Sequence, residues 1–436
     1  MTLVGELSLW IALLMAAWAT TVSFAGGAMH RADLGASGRR AIYVAAASLL
    51  LANAGVIAAL LSRDFSFAYV ARHTSLALPR AYVVSALWSG TAGTLLVGAL
   101  AFAALGSGAV IVWAGRSLRA SSYLAGTIGV LLLMALLVLC FARDPYERLG
   151  WLAGDGLGLD PMLRHAEMVL ARPAALIGVA AVGVGAGVLI GARASGAHRD
   201  RLAGLARAWF LPAWTLLTVG LALQMRGWYA YSPAGGVWQW TPFATTGLVL
   251  WVLAGVVLHL CGARAPRRRW RVGEYLSHLG AAVVVVALGA LAWSNSRPLQ
   301  LRTGQESRIS DPLGQEWRFV SQGVSRYGTA DHDVTAVALE GWRGGAPLGL
   351  IVSQRLDYRT AQGGSMPVSE PALRPGLLMD LRVAVDSTNG DLAFVQVTFA
   401  PLAGALWLGA ALVVLGGLAA MLPVAAPRAA TPGGAS

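Results

Sequence analysis

Residues Gly227–Pro242 read GWYAYSPAGGVWQWTP, and 243–262 continue as FATTGLVLWVLAGVVLHLCG, with His259 near the end. A basic turn, Arg264 to Arg271, leads into a second apolar run that carries His278. The run after Pro242 has the length of a bilayer span, about 20 residues. This stretch therefore reads as an interfacial loop between helical membrane spans. Two histidines inside neighbouring apolar runs, beside a loop rich in tryptophan and glycine, are the most informative chemistry of the chain.

Working outward, the same texture extends over most of the 436 residues. The chain is 56% hydrophobic and 12% charged, with a mean hydropathy of +0.62. The fold class is an all-α polytopic membrane protein with about nine transmembrane helices and a small β-rich extracytoplasmic domain inserted before the last. The spans are expected near 5–25, 41–62, 85–113, 121–142, 171–192, 207–227, 243–262, 272–294 and 401–423. The first lacks a basic leading segment and is read as retained, not as a cleaved signal peptide. The net charge of +12 comes from arginines clustered in every second short loop. These are Arg31, Arg39 and Arg40; Arg116 and Arg119; Arg193, Arg199, Arg201 and Arg207; and Arg264, Arg267, Arg268, Arg269 and Arg271. That is the topogenic pattern of cytoplasmic loops, not a nucleic-acid footprint. It places the N-terminus and the 295–400 insert outside and the C-terminus inside.

The insert alternates polar and apolar residues at 316–321 (EWRFVS) and 392–399 (LAFVQVTF), a period of two that predicts strands. The domain reading is 1–294 transmembrane, including the tryptophan loop 227–242; 295–400 extracytoplasmic and β-rich; 401–423 a last span; and 424–436 a disordered tail. Cys140 and Cys261 each close an apolar run without a CxxC pattern, which reads as inert core. No Ser-His-Asp triad, P-loop or zinc site is visible.

His259 lies about four residues, roughly 6 Å, from the cytoplasmic end of its helix, and His278 about seven residues, roughly 10 Å, into the next antiparallel one. Two ionisable side chains at similar depth can be axial ligands of one haem iron. The alternative is that each hydrogen-bonds a neighbouring helix or interfacial water. Gly235 and Gly236 would let backbone approach a flat ligand, and Trp238 and Trp240 offer apolar faces to a porphyrin. The rival reading of the loop is an interfacial aromatic belt.

Several segments together resemble the CcmF family, the large membrane subunit of bacterial cytochrome c haem lyase in the cytochrome c assembly superfamily. They are Asp64–Ala71, Leu78–Pro79, Trp88–Leu96, Asp155–Leu163, Ala213–Gly220, Ser369–Ala372, Asp380–Leu381 and Trp407–Gly409. The resemblance implies a bacterial inner-membrane protein of cytochrome c maturation. His259 and His278 match the family's two membrane histidines, the axial ligands of a b-type haem thought to take electrons from quinol. The loop with Trp238, Trp240, Gly235 and Gly236 would present the transferred haem, which is a substrate. The implied partners are a CxxCH apocytochrome c, a haem chaperone, other maturation subunits and the lipid membrane, with no nucleic acid.

The chain departs from the family pattern in places. Thr241 stands at the loop's acidic position, Ala92 at a glutamate, and Ala171 at an outer histidine. Typical members also have further helices between the spans that carry His259 and His278. His73 and His165 are candidate substitutes for the outer ligands, and Arg72, Arg80 and Arg172 for pairing with haem propionates or lipid phosphates. Two roles stay open: a lyase component that holds, reduces and presents haem, or a divergent paralogue that only carries electrons or scaffolds another subunit. A transporter is a third reading, disfavoured by few acidic residues in the spans and no paired broken helices.

Overall fold

The computed structural model describes residues 2–151, 153–232, 236–262, 270–329, 331–359, 364–376 and 378–422. Among them, nine helices are long and apolar enough to cross a membrane. These are α1 (Thr2–Ala28), α2 (Ala32–Ser62), α5 (Thr91–Ala114), α6 (Leu118–Phe141), α7 (Ala166–Ala194), α8 (Arg199–Tyr231), α9 (Pro242–Gly262), α10 (Trp270–Leu291) and α11 (Ala403–Met421). Two short helices, α3 (Ala68–His73) and α4 (Arg80–Val83), fold in the connection after α2. Helices α1, α2, α5, α6 and α7 share one core. Helix α8 packs on α7, and α9 and α11 pack on α8.

The third span starts later than the hydropathy suggests. The apolar run from Ser85 begins as a 3-10 turn, Ser85–Trp88, and helix α5 starts only at Thr91. The cause is side-chain competition for the carbonyls. The Tyr69 hydroxyl reaches the Ala86 and Leu87 carbonyls at 2.9 and 2.7 Å, and Arg172 donates to those of Trp88 and Ser89. These groups are satisfied without a helix, so the chain is free to bend there.

Helices α10 and α11 pack backbone to backbone. A Cβ on Gly280 would stand 2.6 Å from the Gly409 carbonyl oxygen, and one on Gly273 2.6 Å from that of Gly416. The glycines recur every seventh residue on both helices, which lets the backbones touch along the seam.

Between α10 and α11 the chain makes two antiparallel sheets. One has the order β1 (Asn295–Leu301), β9 (Leu392–Pro401), β8 (Met379–Asn389), β7 (Ala372–Arg374). The other runs β2 (Glu306–Ser310), β3 (Glu316–Gly328), β4 (His332–Arg343), β5 (Ala346–Arg359), β6 (Ser365–Glu370). Both period-two segments are strands. Trp317 and Phe319 of β3 point inward, as do Val395, Val397 and Phe399 of β9, and the two sheets share that core. Strand β1 continues from α10 and β9 leads into α11, with Asn295 opposite Phe399. The sheet is therefore built on the two ends of the glycine-packed hairpin. The tail 424–436 and Arg264, Arg267, Arg268 and Arg269 lie outside the described residues.

Candidate functional site

His259 and His278 come together from helices held by different neighbours. Helix α9 is fixed on α8, where Trp251 stacks on Trp214 with centroids 5.3 Å apart and donates Nε1–H to Thr218 at 2.8 Å. Helix α10 is fixed on α11 through Gly273 and Gly280. His278 lies two residues before Gly280, about 200° around the helix, and so faces away from α11. The imidazole centroids are 5.7 Å apart and the rings are inclined at 77°.

Both rings are oriented in the same way. His259 Nδ1 lies 2.8 Å from the Gly255 carbonyl, and His278 Nδ1 lies 2.7 Å from that of Glu274. A carbonyl oxygen only accepts, so Nδ1 is the donor, and in the neutral ring Nε2 is the nitrogen with the lone pair. This is the arrangement in which a metal-ligating histidine is held by its second nitrogen. With metal–nitrogen bonds of about 2 Å and each ring centre about 1 Å behind its nitrogen, two axial imidazoles place their centroids about 6 Å apart. The observed centroid spacing of 5.7 Å is close to that value. Among the described residues no group of three or more His, Cys, Asp or Glu side chains could hold a metal ion. A metal at this pair would need its equatorial ligands from elsewhere, which a porphyrin supplies.

The outer candidates occupy a second region, where the loops meet the β-domain. His73 ends α3, stacks on Tyr69 at 4.3 Å and directs Nδ1 to the Tyr69 carbonyl at 2.8 Å. Its Nε2 lies over Gly90, where an added Cβ would be 2.4 Å away. Burial pushes its pKa down, with Arg72 and Arg172 adding to the effect and the Tyr69 hydrogen bond opposing it. His73 lines a cleft of about 440 Å³ with Arg72, Ser89, Asp160, Arg172 and Met366. Arg80 is exposed and does not line that cleft.

His165 is placed differently. It stacks on Tyr231 with centroids 3.4 Å apart and 7° between planes, and its Nε2 is 3.9 Å from Glu370 of β6. Burial also lowers its pKa, against the pull of Glu167. His165 thus stands at the root of the tryptophan loop, whereas His73 faces the cleft.

In the loop itself, Trp238 and Trp240 meet edge to face at 5.7 Å, and Trp240 is 73% exposed. Gly235 lies outside the described residues. Gly236 has φ +85°, with nothing within 4 Å of where a Cβ would be. Its glycine is required by the left-handed backbone, not by a close approach within the chain. Thr241 accepts the Ala244 N–H at 3.2 Å and caps α9, a task that aspartate and threonine can both perform. Ala92 and Ala171, at the other family positions, are both buried.

Sequence reading missed the residues that fix these groups. The seven-residue glycine spacing was visible, but its pairing between α10 and α11 was not. Arg164 and Asp331, 2.6 Å apart and mostly buried, tie the outer loop to the β-domain. They are 167 residues apart and carry no local signal.

The comparisons agree with this architecture. No family model matches the chain. The solved structure titled cytochrome c haem lyase CcmF superposes with a TM-score of 0.75 at 15% identity, covering 97% of this chain and 98% of that one. The fold is that of CcmF. Among curated proteins, the chain is 31% identical over 272 residues to the probable cytochrome c-type biogenesis protein NrfE of Escherichia coli, covering 58% of this chain and 48% of NrfE. It is 30% identical over 268 residues to cytochrome c-type biogenesis protein ccl1 of Rhodobacter capsulatus, covering 58% and 39%. With CcmF of Pseudomonas fluorescens it shares 28% over 233 residues, covering 52% and 35%. The chain spans about half the length, or less, of these curated relatives. It is similar to the CcmF and NrfE cytochrome c biogenesis proteins and has the CcmF fold.

Proposed function

We propose that this protein is a membrane component of cytochrome c maturation that holds a b-type haem between His259 and His278. The observation that carries the reading is the pair itself: two imidazoles 5.7 Å apart, each with Nδ1 spent on its own helix and Nε2 left to bind. Bound haem would supply a one-electron redox centre. His259 and His278 would hold it, near the cytoplasmic face. Quinol is the proposed electron source.

On the opposite side, the transferred haem is the substrate. Trp238 and Trp240 would present it, His73 would offer Nε2 from the cleft, and Arg72 and Arg172 would meet its carboxylates. The thiols of a CxxCH apocytochrome c would then add across the vinyl groups, sulfur to the inner carbon and proton to the outer. A haem chaperone and other maturation subunits are the proposed partners. The arginine pattern supports an inner-membrane orientation with the N-terminus and β-domain outside and the C-terminus inside.

The electron-carrier reading is favoured by Thr241, Ala92 and Ala171, which lack the side chains of the lyase pattern. The first test is the reduced absorption spectrum of the purified chain. We expect a low-spin bis-imidazole b-type signal that is lost in His259→Ala and in His278→Ala; well-folded protein without haem would overturn the assignment. The second test adds haem and an apocytochrome peptide. Co-purification of a second haem supports the lyase role, and its absence supports the carrier.

A further inference from the structure

Helix α8 ends at Tyr231, and the chain leaves it under a double grip from β8. The Tyr229 hydroxyl donates to Asp380 Oδ2 at 3.0 Å, and Arg382 donates from Nη2 to the Ser232 carbonyl. Asp380 and Arg382 are two residues apart on one strand and so project from one face. Both are buried, at 4% and 3% exposure. The other oxygen of Asp380 accepts the Gly376 N–H at 3.0 Å. Val237, in the described part of the loop, packs into the same joint with Tyr229, Ala400, Ala403 and Trp407.

Buried charges cost free energy relative to well-packed apolar side chains of similar volume. Apolar residues could have docked the strand on α8. Charge-assisted hydrogen bonds add a defined direction, here at the point where the tryptophan loop begins.

We propose that Asp380 and Arg382 are positioning residues that set how the tryptophan loop leaves α8 and where Trp238 and Trp240 stand. That they thereby aim the loop at a haem substrate rests on the presenting role proposed above. The β-domain then acts as a bracket for the loop. Its β8 neighbours β9, which runs directly into α11, the partner of the His278 helix.

The test uses the full chain in phospholipid nanodiscs, without haem, carrying Trp240→Cys in a Cys140→Ala, Cys261→Ser background with a nitroxide label at 240. Arg382→Met and Asp380→Ala should each sharpen the electron paramagnetic resonance lines as the label moves faster. Arg382→Lys and Asp380→Asn, which keep a hydrogen bond, should restore the broad spectrum. Trypsin resistance of the β-domain identifies folded variants. Unchanged spectra in folded Arg382→Met and Asp380→Ala would overturn the proposal. Haem titration of the same proteins with Trp240 restored, in a His259→Ala, His278→Ala background that removes the membrane haem site, should show affinity about tenfold weaker in Arg382→Met. Wild-type affinity in a loosened variant would overturn the aiming role. If the wild-type loop binds no haem, the presenting role fails while the nitroxide spectra still decide positioning.

Discussion

Gly280 and Gly409 meet backbone to backbone: a Cβ on the first would stand 2.6 Å from the carbonyl oxygen of the second, and the reverse contact would be 2.8 Å. This contact fixes the helix that carries His278. Gly280→Ala must push α10 from α11, costing about 1–3 kcal/mol as overpacking does. We expect a lower thermal midpoint in detergent and a weakened low-spin haem signal. A wild-type spectrum and midpoint would show that the seam can open without moving His278.

Thr241 offers a second test. Thr241→Ala removes the α9 cap and should cost about 1 kcal/mol. Thr241→Asp keeps the cap and places a negative charge at a helix N-terminus, where it is favourable. Its stability should equal or exceed the wild type. A destabilised Thr241→Asp protein in a thermal melt would mean that the position is not serving as a cap.

The outer histidines predict a pH dependence. Burial depresses the folded-state pKa of His73 and of His165. The unfolded chain therefore binds more protons than the folded one as pH falls below about 6.5. Stability should be constant above that value and fall as pH drops towards the folded-state pKa values. Thermal midpoints between pH 8 and 5 measure this. His73→Gln and His165→Gln should each flatten the acid limb.

Arg164 holds Asp331 across the join between outer loop and β-domain and also lies over the Tyr358 ring at 4.4 Å. Burial opposes the Asp331 charge, but the hydrogen bonds from Arg164 and His332 outweigh it and hold its carboxyl below the usual range. Arg164→Ala should cost about 1.5–3 kcal/mol, as for hydrogen bonds to charged groups. Faster trypsin cleavage of the β-domain would report it. The double variant Arg164→Ala, Asp331→Ala should lose less than the sum of the two singles.

The sequence by itself determined the helical membrane class, because runs of about 20 apolar residues leave the chain no other stable form in lipid. It also located the β-rich insert, since alternation at Trp317, Phe319, Val395 and Val397 is a local property of each strand. It singled out His259 and His278, since a histidine within an apolar span is conspicuous wherever it packs. Tertiary structure alone decided the rest. The start of α5 depends on Tyr69 and Arg172, donors from other segments that capture the carbonyls just before it. The distance between the two histidines depends on α9 packing on α8 and α10 packing on α11. His165 meets Tyr231 and Glu370, while His73 faces the cleft, although both read alike as loop histidines. The grip of Asp380 and Arg382 on the end of α8 spans 151 and 150 residues. Composition and periodicity report what a residue prefers; its partner across such a separation is set only when the chain has folded.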